Sequence, residues 1–64
     1  MTAEQRRSRI SARLHEAHQP ISATALAKEL GVSRQIIVGD ISILRAEGTQ
    51  IFATPRGYIM PQEA

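Results

Sequence analysis

The 64-residue chain has no cysteine and no tryptophan, and its only aromatic residues are Phe52 and Tyr58. Without cysteine, neither a disulfide nor a thiolate zinc site can staple the fold. The core therefore rests on aliphatic side chains, and eight Ile, four Leu and two Val supply it. The length is near the lower limit for one domain folding on its own core, so residues 1–64 are expected to form a single unit. No apolar run approaches the ~20 residues of a membrane span. The polar, charged start of the chain does not resemble a secretory signal, so a cytoplasmic protein is expected. There is one aspartate and neither a glycine-rich phosphate loop nor a catalytic triad or carboxylate pair, which argues against an enzyme. Scarce aromatics also argue against RNA binding, which draws on base stacking.

The formal charge is +2. Arg6, Arg7, Arg9 and Arg13 set against Glu4 and Glu16 account for all of that excess within the first twenty residues. Such a cluster suits a polyanion, and it equally suits a solvated helix face.

Thr2 and Gln5 form a capping-box pattern with Glu4 at the positive end of a helix. Ile10, Leu14 and Ala17 recur on one face, predicting a helix to about His18, with Pro20 as the stop. His15 and His18 are three apart, but no carboxylate or cysteine completes a ligand set, so neither a metal nor a cofactor site is expected. Ile21 reads as a strand stub. Ser22 caps a second helix whose Leu26 and Leu30 face inward, with Ala27 allowing close packing and Gly31 ending it. Ser33 caps a third helix from Arg34 to about Glu47, closed by Gly48.

Ala27, Gly31 four residues on and Ile37 six beyond that match a helix-turn-helix over about 22–47. Beyond Gly48, Ile51–Thr54 and Tyr58–Met60 read as strands around Pro55, Arg56 and Gly57. There proline suits a type I corner and glycine supplies the positive φ of a bulged hairpin. Pro61–Ala64 reads as a tail. The predicted fold is α+β, mostly α: a winged helix-turn-helix of three helices with a short C-terminal β-hairpin wing at about 50–60.

At 100° per residue, Ile37, Ile41 and Leu44 form the core stripe of the third helix. The opposite side carries Gln35, Gly39, Ser42 and Ala46, with Ile36 and Ile43 at its margin. It lacks the long charged side chains of an ordinary surface helix. A helix in a major groove needs short side chains, amides for base edges and methyls for thymine. Gln35 suits adenine, Ile36 suits a thymine methyl, Gly39 leaves room for the duplex, and Arg34 reaches guanine or phosphate. Ser22, Thr24 and Ser33 sit at helix N-termini suited to phosphate oxygens. Arg56, alone at the wing tip, suits a minor groove. Each has a plainer reading: a cap for the hydroxyls, a poor helix former for Gly39, a protein contact for Ile36 and Ile43, a solvated turn for Arg56. Asp40, beside the core stripe, is expected to orient an arginine.

The run Leu26-Ala-Lys-Glu-Leu-Gly-Val-Ser-Arg-Gln, then Asp40-Ile-Ser-Ile-Leu-Arg-Ala and Ala53-Thr-Pro-Arg-Gly-Tyr, resembles the N-terminal winged-helix domain of bacterial niacin-responsive repressors over about residues 6–60. It is more loosely similar to the corresponding domain of biotin operon repressors. The resemblance implies a repressor binding its operator as a homodimer, with Ser33, Arg34 and Gln35 opening the recognition helix and Arg56 tipping the wing. Those repressors continue into a histidine-containing effector and metal-binding domain. None of that lies within these 64 residues, so no niacin site is expected here. Gly39 also departs from the polar or basic reader expected at its position. The function expected is sequence-specific binding of double-stranded DNA as the reading domain of a transcriptional repressor. The alternative is a winged helix used for protein–protein contact.

Overall fold

The computed structural model describes residues 1–61. Three helices, α1 (Ala3–Glu16), α2 (Ala23–Leu30) and α3 (Arg34–Ala46), precede an antiparallel hairpin of β1 (Phe52–Thr54) and β2 (Gly57–Ile59). This is the winged helix-turn-helix expected. Among the described residues no helix is long and apolar enough to cross a membrane. Gln62, Glu63 and Ala64, the end of the expected tail, lie outside the described residues.

The first helix starts on a complete capping box. Thr2 Oγ1 accepts from the Gln5 N–H at 3.1 Å, and Gln5 Oε1 accepts from the Thr2 N–H at 3.0 Å. Ser22 and Ser33 cap α2 and α3, accepting from the N–H groups of Ala25 and Ile36. Gly31 takes the left-handed conformation at φ 69°, and Val32 N–H reaches back to the Ala27 carbonyl at 3.1 Å. The chain thus leaves α2 and enters α3 within three residues. At the end of α3, Gly48 N–H bonds the Arg45 carbonyl and Thr49 N–H the Leu44 carbonyl, both at 3.0 Å, a Schellman closure.

Ile10 and Leu14 of α1, Leu26 of α2, and Ile37 and Ile41 of α3 are fully buried together. Ala23, Ala27, Leu44, Ile51 and Met60 complete the cluster, with Ile21, Leu30, Val32, Val38 and Tyr58 packed against it. The predicted stripe of α3 is therefore the buried one.

The end of the first helix and the bounds of both strands differ from the sequence reading. The first helix ends at Glu16 rather than His18, and Ala17 is extended. The chain must turn there to bring Ile21 beside Tyr58, where Ile21 N–H bonds the Tyr58 carbonyl at 2.9 Å and Tyr58 N–H the Ile21 carbonyl at 2.8 Å. Ile51 is buried ahead of β1 and Met60 beyond the end of β2, each packed into the core rather than within a strand. Gly57 belongs to β2, paired with Thr54, leaving Pro55-Arg56 as the connection. Gly57 has φ 139°, and a Cβ built there would lie 2.6 Å from Ser22 N and overlap the Ile21 carbonyl group. Glycine is required both for the turn and for the approach of the two backbones.

Gly57→Ala is accordingly expected to destabilise the domain by at least ~2 kcal/mol, since strain and a main-chain overlap add. Thermal unfolding followed by circular dichroism checks this: a melting temperature within about 2 °C of the parent would show that the wing can lift off Ile21 without loss.

Candidate nucleic-acid interface

The Ile21–Tyr58 bridge sets the wing beside the start of α2. Thr54 fixes the turn itself: its hydroxyl donates to the Gly57 carbonyl at 2.8 Å and accepts from the Arg56 N–H at 3.2 Å. Arg45 Nε donates to the Ile51 carbonyl at 2.9 Å, tying the approach to the wing to the end of α3. These bonds hold Arg56 at a defined place.

That place is the rim of a cleft of about 270 Å³ whose lining includes Ser22, Thr24, Arg34, Thr54, Arg56 and Tyr58. Of the sequence-predicted site residues, Ser22, Thr24, Arg34 and Arg56 meet in it, drawn from α2, α3 and the wing. Arg34 and Arg56 are exposed, and among the described residues neither guanidinium is in an ion pair. Ser33 caps the neighbouring helix start outside this cleft. Gln35, Ile36 and Gly39 are exposed along the outer side of α3. The predicted residues thus form two adjoining surfaces: a cationic cleft and a charge-free helix face.

Most of the other positive charge is held elsewhere. Arg6 grips Asp40 through two hydrogen bonds, Nε to Oδ2 and Nη2 to Oδ1, the latter at 3.0 Å, and Arg7 Nη1 lies 3.5 Å from Oδ1. Asp40 is only 3% exposed, so this fork joins α1 to the inner side of α3. It also identifies the arginines that Asp40 was expected to orient. Arg13 Nε pairs with Glu29 at 2.9 Å, joining α1 to α2. The basic cluster at the start of the chain therefore braces helices, and of its four members only Arg9 is without an ion pair among the described residues. The hydrogen bond that Arg6 donates to Asp40 raises the Arg6 pKa against opposing desolvation, with charge attraction adding to it. The Arg13 pKa is raised mainly by the hydrogen bond to Glu29. A raised base loses its contribution only as pH climbs through that raised value, so both braces persist across the physiological range.

Sequence reasoning missed three things here. It did not place Thr54 as the latch of the wing turn, although a threonine before Pro-x-Gly carries a local hydroxyl signal. It did not foresee the approach of Gly57 to Ile21. It read the N-terminal arginines as available, because intrahelical spacing says nothing about partners on α2 and α3.

An HTH domain family matches residues 6–59. The chain belongs to that family. It is 53% identical over 47 residues to a protein of Thermotoga maritima named probable transcription repressor NiaR, covering 73% of this chain and 27% of the relative. It is 44% identical over 54 residues to the transcription repressor NadR of Bacillus subtilis, covering 84% of this chain and 30% of the relative. The chain thus spans less than a third of the length of either.

Asp40→Ala leaves two arginines facing a vacated carboxylate site at the α1–α3 contact. The expected result is a clearly lower melting temperature, whereas Arg13→Ala, which removes an exposed pair, stays close to the parent. Equal melting temperatures for the two variants would show that the fork does not hold the helices together.

Proposed function

We propose that this chain is the operator-reading unit of a bacterial transcription repressor of the niacin-responsive class, working as one 64-residue domain. It binds double-stranded DNA in the cytoplasm and performs no catalysis. The observation that carries this reading is the pairing of surfaces just described: an outer α3 face of Gln35, Gly39 and Ser42, adjoined by two arginines that have no carboxylate partner among the described residues. Membership of the HTH family and the names of the two relatives support it.

In this reading α3 enters the major groove, where Gln35 pairs with adenine and Ile36 meets a thymine methyl. Ser22, Thr24 and Ser33, at the helix starts, turn hydroxyls and main-chain amides toward phosphates. Arg34 neutralises the backbone or reaches a guanine, and Arg56 follows the wing into the adjacent minor groove. Gly39 has nothing within 4 Å of where a Cβ would stand. Packing therefore does not require glycine there, and in a helix interior glycine costs about 1 kcal/mol relative to alanine. The open space is kept for the duplex. One recognition helix and one wing cover a single half-site, so two copies meet a two-fold operator, joined by parts of the full-length protein outside these residues.

Fluorescence anisotropy on labelled duplexes tests this. Affinity is expected to fall as salt rises, and Arg56→Ala should flatten the log–log slope by about 1. Gln35→Ala should cost ~1–3 kcal/mol on the preferred site and little on unrelated sequence. Equal losses on every duplex would remove Gln35 from the reading face, and salt-independent binding would remove the electrostatic part.

A second comparison separates fold from function at Gly39. Alanine there should raise stability by ~0.5–1 kcal/mol while weakening binding to the preferred duplex. A variant that is more stable and binds equally well would show that the duplex does not approach Gly39.

A further inference from the structure

Ile36 and Ile43 are 42% and 43% exposed, large aliphatic side chains on a helix whose core stripe is already complete without them. They are seven residues apart, so they stand on one side of α3, separated along the axis by about 10.5 Å at 1.5 Å per residue. Gly39 lies in the turn between them, and its side-chain position is open space. Two branched aliphatic shoulders therefore flank a notch. The one charged side chain exposed on this edge is Glu47, a turn beyond Ile43 at the end of α3; Asp40 is buried beneath it, bonded to Arg6, and Arg34 faces the cleft beside the wing.

Exposed isoleucine gains nothing from water, and neither side chain can discriminate bases by charge or by hydrogen bond. The part of a DNA major groove that such an edge fits is the thymine 5-methyl group, the apolar feature of the base-pair edges there. The spacing of the two side chains corresponds to roughly three base-pair steps of 3.4 Å. Continuity with the exposed, uncharged side that carries Gln35 and Gly39, on the third helix of a helix-turn-helix, favours DNA over an apolar protein partner. The geometry points to Ile36 and Ile43 as a pair of thymine-methyl readers on either side of the Gly39 notch, so that the preferred half-site carries thymines at two separated positions. This rests on the DNA-reading function proposed above and adds to it Ile43 and a second, separated thymine.

The test uses the 64-residue chain and a duplex it selects from a random pool, compared with the same duplex in which thymines are replaced one at a time by uracil. Uracil keeps every hydrogen-bonding group and removes only the methyl. Burying one methyl-sized group is worth about fourfold in affinity, so a loss of that order is expected at two positions. Ile36→Ala should abolish the sensitivity at one of them and Ile43→Ala at the other. Arg56→Ala should bind more weakly yet keep both ratios, which a merely structural loss would not distinguish. Both isoleucines are exposed, and melting curves confirm that the variants fold. Selection of a duplex that binds equally well with uracil throughout would overturn the methyl readout and leave DNA reading standing. Failure to select any duplex would overturn both. A chain that sediments as a dimer and becomes monomeric on Ile43→Asp would make this edge an interface between copies, which also overturns the proposal.

Discussion

Two main-chain hydrogen bonds between Ile21 and Tyr58 join the wing to the start of the helix-turn-helix. A two-stranded hairpin is marginal by itself, and here it gains a third partner one residue long. Because Ile21 immediately precedes the Ser22 cap, the same contact that secures the hairpin also decides where α2 begins relative to it. Gly57 makes the approach possible by having no side chain. The Thr54 hydroxyl then carries the order outward to Arg56. Without the bridge the wing would be tied to the helices only at its base, through Ile51, Met60 and Arg45, and the two arginines would lose their fixed spacing across the cleft.

Hydrophobic periodicity made the helices, the turn and the core stripe of α3 legible, because each was signalled by several agreeing residues. Ser33 caps, Ile37 and Ile41 bury, and Gly31 turns. The strands were displaced by a residue because the sequence around Ile51 and Met60 is equally apolar on either side of the boundary. What separates strand from approach is the register in which Phe52 pairs with Ile59, on a hairpin that is itself seated through Tyr58 on Ile21, a contact across 37 residues. The same limit applies to the site. Composition and spacing could nominate Ser22, Thr24, Arg34 and Arg56 one by one. That they converge on one cleft depends on the wing folding back, which no local pattern encodes.

Charge is distributed by a similar logic. The buried carboxylate of Asp40 requires a cation, and two guanidiniums from α1 are committed to it. Glu29 commits a third. A fourth, Arg45, is used on a main-chain carbonyl. What remains for a polyanion is a small number of well-placed arginines rather than a broad field. In the proposed reading, attraction to arbitrary DNA is therefore modest, and discrimination falls to contacts that depend on shape and base identity.

None of the side chains on the outer edge of α3 takes part in the core, and Ser42 is the only one that bonds its own backbone, at the Val38 carbonyl. Gln35, Ile36, Ser42, Ile43 and the vacant position at Gly39 thus lie outside the core of the scaffold that presents them. Descendants of such a sequence could drift from one operator to another by single replacements along this edge without crossing a valley of unfolded intermediates. The scaffold would meanwhile be held by the residues on its hidden side.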